Sequence, residues 1–113
     1  MSSIFDELKK AQIKMPPQYL EITSMWIRKA KENLRRASSM LSSGGNPQQI
    51  NAAVALIQEV SNGLQYAVNL ISPYQGTDPD ATELAAEIQQ IQVMLQSLQQ
   101  KVSEIMLKLS LHG

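Results

Sequence analysis

Apolar residues recur at alternating spacings of three and four along three long stretches of the chain. The last stretch has the longest series: Leu84, Ile88, Ile91, Leu95, Leu98, Val102, Ile105 and Leu109. The middle stretch carries Ile50, Val54, Ile57, Ser61, Leu64, Val68 and Ile71, and the stretch before it Leu20, Thr23, Ile27, Ala30, Leu34, Ala37 and Leu41. This spacing is typical of helices that pack as they do in coiled coils. The sequence therefore predicts an all-α bundle without strands.

The expected helix ends are marked by capping residues, prolines and glycines. Asn46-Pro47 and Asp78-Pro79 each place a capping side chain before a proline at the first helical position, and Pro16-Pro17 opens the stretch before them. Gly44-Gly45 supplies the flexible backbone with which helices often end. We therefore predict one domain over residues 1–113, with a short N-terminal helix and three long helices over 3–13, 17–42, 47–72 and 79–112.

The predicted last helix is longer than its neighbours. The short connections between the three long helices favour an antiparallel, up-down-up three-helix bundle. At about 1.5 Å per residue, the last helix would then extend beyond the other two from about residue 104. The segment that follows is rich in large apolar residues, and Met106, Leu107 and Leu111 are candidate interaction residues. An interlocked homodimer would cover them; alternatively, the helix end frays or bends and caps the bundle.

The middle helix carries a second apolar strip, formed by Ala53, Leu56, Val60, Gly63, Ala67 and Leu70, and the last five are candidate interaction residues. One interpretation is that this helix is simply packed between the other two. The other is that the strip binds a second copy or a client protein. A glycine within a helix costs about 1 kcal/mol relative to alanine, so Gly63 indicates a close contact. Trp26, at the edge of the neighbouring apolar series, is either half-buried in the core or part of a partner contact.

Charge is distributed unevenly along a chain whose formal net charge is zero. Residues 1–36 carry eight Lys and Arg against four Asp and Glu, whereas residues 37–100 carry no Lys or Arg. The basic residues of the first long helix form a candidate basic face: Arg28, Lys29, Arg35 and Arg36. Glu32 lies among them and dilutes their field. This pattern is better explained by a solvated helix face or by a contact with an acidic protein than by nucleic-acid binding. Domains that bind nucleic acids are usually strongly basic overall.

The chain offers few residues with which to build a chemical site. It contains no cysteine, and its one histidine, His112, is next to the C-terminus. We therefore predict no catalytic residues, no metal site and no cofactor, and we expect that the protein is not an enzyme. The sequence shows neither a signal peptide nor an apolar stretch long enough to span a membrane, so a cytoplasmic location is expected.

These features together predict a non-catalytic protein–protein interaction module. Its partner is itself, as a homodimer, or another protein, and an adaptor or chaperone-like role would use its apolar helix-packing surfaces. A purely structural subunit that assembles only with itself is an alternative. A regulator that contacts nucleic acid through the basic face is a further alternative, which the zero net charge disfavours.

Overall fold

The computed structural model describes residues 4, 14–42 and 46–112, and nearly all of them are helical. The helices are α1 (Pro17–Ser42), α2 (Pro47–Ile71) and α3 (Pro79–His112), with a short 3-10 helix over Ser72–Tyr74 between the last two. Each α-helix packs against the other two, and the described residues contain no strand. The predicted all-α three-helix bundle is confirmed. The predicted helix over 3–13, apart from residue 4, and the glycine pair at 44–45 lie outside the described residues.

The predicted caps open α2 and α3. The Asn46 side chain accepts a hydrogen bond from the Gln48 backbone N–H at 2.9 Å, and Asp78 Oδ1 accepts one from the Asp80 backbone N–H at 2.9 Å. Both contacts satisfy N–H groups that have no partner within the helix itself. The middle helix ends at Ile71, one residue before the predicted position, because the chain tightens there into the 3-10 helix.

Pairs of contacting residues show how α1 runs beside α2 and the 3-10 helix. Tyr19 packs edge-on against Tyr74 with ring centroids 6.1 Å apart, and Trp26 packs likewise against Tyr66 at 6.1 Å. Further along, Lys29 Nζ lies 3.9 Å from a carboxylate oxygen of Glu59. Residue numbers rise along α1 while those of the contacting residues fall. These contacts therefore pair the start of α1 with the 3-10 helix and later residues of α1 with earlier residues of α2.

The core of the bundle follows most of the predicted series on α1 and α3, with corrections at Leu20 on α1 and at Val54 on α2. Both residues were expected inside, but both are exposed. The buried positions of α2 belong to both of its predicted series: Ile50, Ala53, Ile57, Val60, Gly63, Leu64, Ala67 and Ile71. Because α2 packs against two helices at once, its buried arc is wider than one coiled-coil seam and is centred between the two series.

Burial along α3 ends before the helix does. The helix has 34 residues, against 26 in α1 and 25 in α2. Its apolar series is buried as far as Val102, Ile105 is half-buried, and Leu109 is exposed. The helix continues to His112, so its end remains helical beyond the last well-buried residue. The predicted extension of the last helix is present.

Asp78 joins the segment before α1 to the start of α3. Its Oδ2 accepts a hydrogen bond from the Met15 backbone N–H at 2.7 Å, and the residue is buried. This bond and those from the backbone N–H groups of Asp80 and Ala81 lower the pKa of the Asp78 carboxyl below its ordinary value of 3.8. Burial acts in the opposite direction, and the charge of Lys14 adds to the lowering. The ionised carboxylate therefore stabilises the folded state.

We expect the contribution of Asp78 to stability to disappear in acid. A carboxyl whose pKa is lowered on folding stabilises the protein above its unfolded-state pKa, and the effect is lost as the pH falls through the folded-state value. Asp78→Asn should therefore lower the melting temperature near neutral pH, because the asparagine side chain still caps the helix but its amide group cannot accept the Met15 hydrogen bond. The difference from the native chain should shrink below about pH 3.8.

Thermal unfolding followed by circular dichroism at a series of pH values measures this difference. Asp80→Asn is the matched control, because it removes an exposed carboxylate two residues away that does not contact Met15. A difference between the native chain and Asp78→Asn that stays constant from neutral pH to about pH 2 would contradict the assignment.

Candidate protein interaction surfaces

The second apolar strip of α2 lies inside the bundle. Val60, Gly63 and Ala67 are buried, and Leu56 and Leu70 are half-buried against the core. The strip is therefore covered by the chain's own helices, as the first of the two interpretations has it. It offers no continuous exposed surface to a partner in this conformation.

Trp26 covers this strip from α1. A Cβ atom built on Gly63 would lie 2.7 and 2.8 Å from two ring carbons of Trp26, so the predicted close contact at Gly63 is with this ring. Tyr66 packs edge-on against the same ring, and Lys29 Nζ lies 5.4 Å from its centroid, within range of a cation–π contact. Trp26 is half-buried and engaged within its own chain rather than presented to a partner.

The predicted basic face is divided between the two sides of α1. All four side chains, Arg28, Lys29, Arg35 and Arg36, are exposed. Lys29 is directed toward α2, where it pairs with Glu59, whereas Arg35 lines a groove between α1 and α3. A nucleic-acid backbone would require the positive charges to converge on one surface, and these charges do not.

The C-terminal end of α3 exposes the apolar residues expected there. Met106 is 55% exposed, Leu107 62% and Leu111 75%, and Leu109 is also exposed. We call residues 105–111 the C-terminal apolar segment. Its side chains point in several directions around the helix axis, so one neighbouring helix could cover only some of them. Large apolar side chains grouped in this way commonly mark an interaction site.

A second apolar surface lies between α1 and α3 and was not predicted from the sequence. It is an open groove of about 600 Å³. Four apolar residues and two basic residues form most of it: Leu34, Val93, Met94, Leu98, Lys31 and Arg35. We call it the α1–α3 groove. The presence of Met94 beside the apolar series of the last helix was a partial signal, but the α1 wall could not be assigned before the helices were placed.

The described residues provide little else on which a site could form. Among them, no three His, Cys, Asp or Glu side chains lie close enough to hold a metal ion. No helix within residues 14–42 or 46–112 is long and apolar enough to cross a membrane.

Comparisons with known proteins give no further guide. No protein-family model, no curated protein and no solved structure matches this chain.

Proposed function

We propose that this protein is a non-catalytic protein–protein interaction module that self-associates through the C-terminal apolar segment. The observation that carries the proposal is the exposure of four apolar side chains in the last two turns of α3, which is longer than the two helices packed against it: Met106, Leu107, Leu109 and Leu111. Burial of one such side chain contributes about 1.5–3 kcal/mol, so covering several would offset the entropic cost of association.

The charges near this segment suit a second copy of the chain. Glu104 and Lys108 are exposed, lie four residues apart and share a face of α3 with Leu107 and Leu111. If two α3 helices meet antiparallel through this face, with the two-fold axis at the level of residue 106, Glu104 of each copy lies opposite Lys108 of the other. A two-fold interface must be complementary to itself in this way. Lys108 is the one charged residue between residues 105 and 111. Burying the segment in a dimer would therefore remove few charged groups from water.

The solution mass tests the proposal. Light scattering after size-exclusion chromatography should give about twice the chain mass of 12.5 kDa at high concentration and a fall toward that mass on dilution. Leu107→Asp/Leu111→Asp should remain folded, because both side chains are exposed, and should stay monomeric throughout. Met25→Asp is the control, since Met25 is an exposed apolar residue of α1. Residues 31–38 of α1 lie beside residues 93–98 of α3, so Met25 is further still from the segment.

The outcomes separate the functional alternatives. A native chain that is monomeric at all concentrations would contradict self-association. A mass that continues to grow beyond a dimer would favour a structural subunit that assembles only with itself. An equal loss of association in Met25→Asp and in the double variant would show that the C-terminal apolar segment is not the interface.

A further inference from the structure

The α1–α3 groove has the shape of a site for one more helix. Ser38 on α1 and Ser97 on α3 are small residues in its walls, and they leave room for a backbone to approach. The exposed side chains of Val93 and Met94 provide apolar contact on the α3 side. Methionine adapts its shape to different partners, and grooves between helices commonly accept the apolar face of an added helix.

The charges of the groove specify what kind of helix would fit. Lys31 and Arg35 stand one turn apart on the α1 wall, and both are exposed. No acidic residue lines the groove, and α3 carries no charged residue between Glu87 and Lys101. The groove therefore has an apolar floor with a positive edge on one side. Oppositely charged residues across an interface steer association and discriminate between partners.

The exposed apolar surface of α3 in a second copy does not supply the complementary charge. Between residues 88 and 111 that helix carries one acidic residue, Glu104, which is balanced by Lys101 and Lys108. The acidic residue of α2, Glu59, is paired with Lys29 in its own chain. An acidic helix of a different protein thus matches the positive edge better than these surfaces of a second copy do.

We infer that the α1–α3 groove binds an amphipathic helix of another protein, whose apolar face lies against Val93, Met94 and Leu98 and whose acidic edge faces Lys31 and Arg35. This inference deepens the proposed function, because it gives the interaction module a partner of defined chemistry. It does not depend on the C-terminal apolar segment, which lies outside the groove. Self-association and groove binding can therefore fail independently.

A pair of synthetic helical peptides tests the inference on the full chain. Each peptide has about 18 residues and leucines at positions i, i+4, i+7 and i+11; the residues beside the leucines are glutamate in one peptide and lysine in the other. Titration followed by fluorescence anisotropy should show saturable binding of the acidic peptide and at least about tenfold weaker binding of the basic one. The affinity for the acidic peptide should fall as salt is added.

Charge reversal on the protein provides the decisive comparison. Lys31→Glu/Arg35→Glu should weaken binding of the acidic peptide at least about tenfold and strengthen binding of the basic one. Met94→Gln removes apolar contact without adding charge and should weaken binding of both. Arg36→Glu is the matched control, because Arg36 is an exposed neighbour of Arg35 that does not line the groove. Its affinity for both peptides should differ little from that of the native chain.

Three results would overturn the inference. The first is no saturable binding of the acidic peptide up to about 1 mM, the weakest affinity that a specific helix-in-groove contact would have. The second is equal weakening by Arg35→Glu and Arg36→Glu, which would indicate nonspecific charge attraction. The third is loss of the dimer, with peptide binding intact, in Lys31→Glu/Arg35→Glu, which would make a second copy the occupant of the groove.

Discussion

Replacing Leu64 by alanine is expected to lower the free energy of unfolding by about 2–5 kcal/mol. Leu64 is one of the largest fully buried side chains of the core, at 1% exposure, and lies on the face of α2 that packs within the bundle. Removing its branched end deletes apolar contacts and leaves a cavity that neighbouring helices fill only in part. Such a loss is a large fraction of the roughly 5–15 kcal/mol that stabilise a typical domain.

Urea unfolding followed by circular dichroism measures the change, and Leu107→Ala is its matched control. Both variants replace a leucine by alanine, but Leu107 is 62% exposed. At protein concentrations at which the chain is monomeric, Leu107→Ala should therefore lower the free energy of unfolding by less than about 0.5 kcal/mol. At higher concentrations the Leu107 variant should lose more stability, since the proposed dimer buries this residue. Equal losses at Leu64 and Leu107 in the monomer would mean that the end of α3 is covered within the chain.

Replacing Gly63 by alanine is expected to destabilise the protein by about 1–3 kcal/mol. Helix propensity alone predicts the opposite, a gain of about 1 kcal/mol, because glycine is less favourable than alanine within a helix. The added Cβ would lie only 2.7 Å from the nearest ring carbon of Trp26. The ring cannot move away without disturbing its contacts with Tyr66 and Lys29, so the steric cost outweighs the gain in propensity.

A double-mutant cycle separates the two contributions. In a Trp26→Ala background the obstructing ring is absent, and Gly63→Ala should become neutral or stabilising. Circular dichroism follows unfolding in all four chains. In addition, a changed fluorescence spectrum of Gly63→Ala would report displacement of Trp26, the one tryptophan of the chain. If Gly63→Ala stabilises both backgrounds equally, the two residues do not press against each other.

The interaction surfaces were predicted only in part. The C-terminal apolar segment could be identified because helix lengths follow directly from residue counts, and a longer helix must extend beyond shorter neighbours. The strip around Gly63 left two interpretations open, since residues buried against a neighbouring helix and residues awaiting a partner have the same spacing. The α1–α3 groove combines Lys31 and Arg35 with Val93 and Met94, which are about sixty residues away in the sequence.

The sequence by itself determined the helices, their caps and the long end of α3, because periodicity, capping and length depend on residues close together in the chain. The tertiary structure decided that residues of both overlapping apolar series on α2 are buried, since that depends on how two other helices share the surface of one. It also decided that Trp26 is engaged within the chain while Lys31 and Arg35 border a groove. Those outcomes depend on the rotation of each helix about its axis, which only packing fixes.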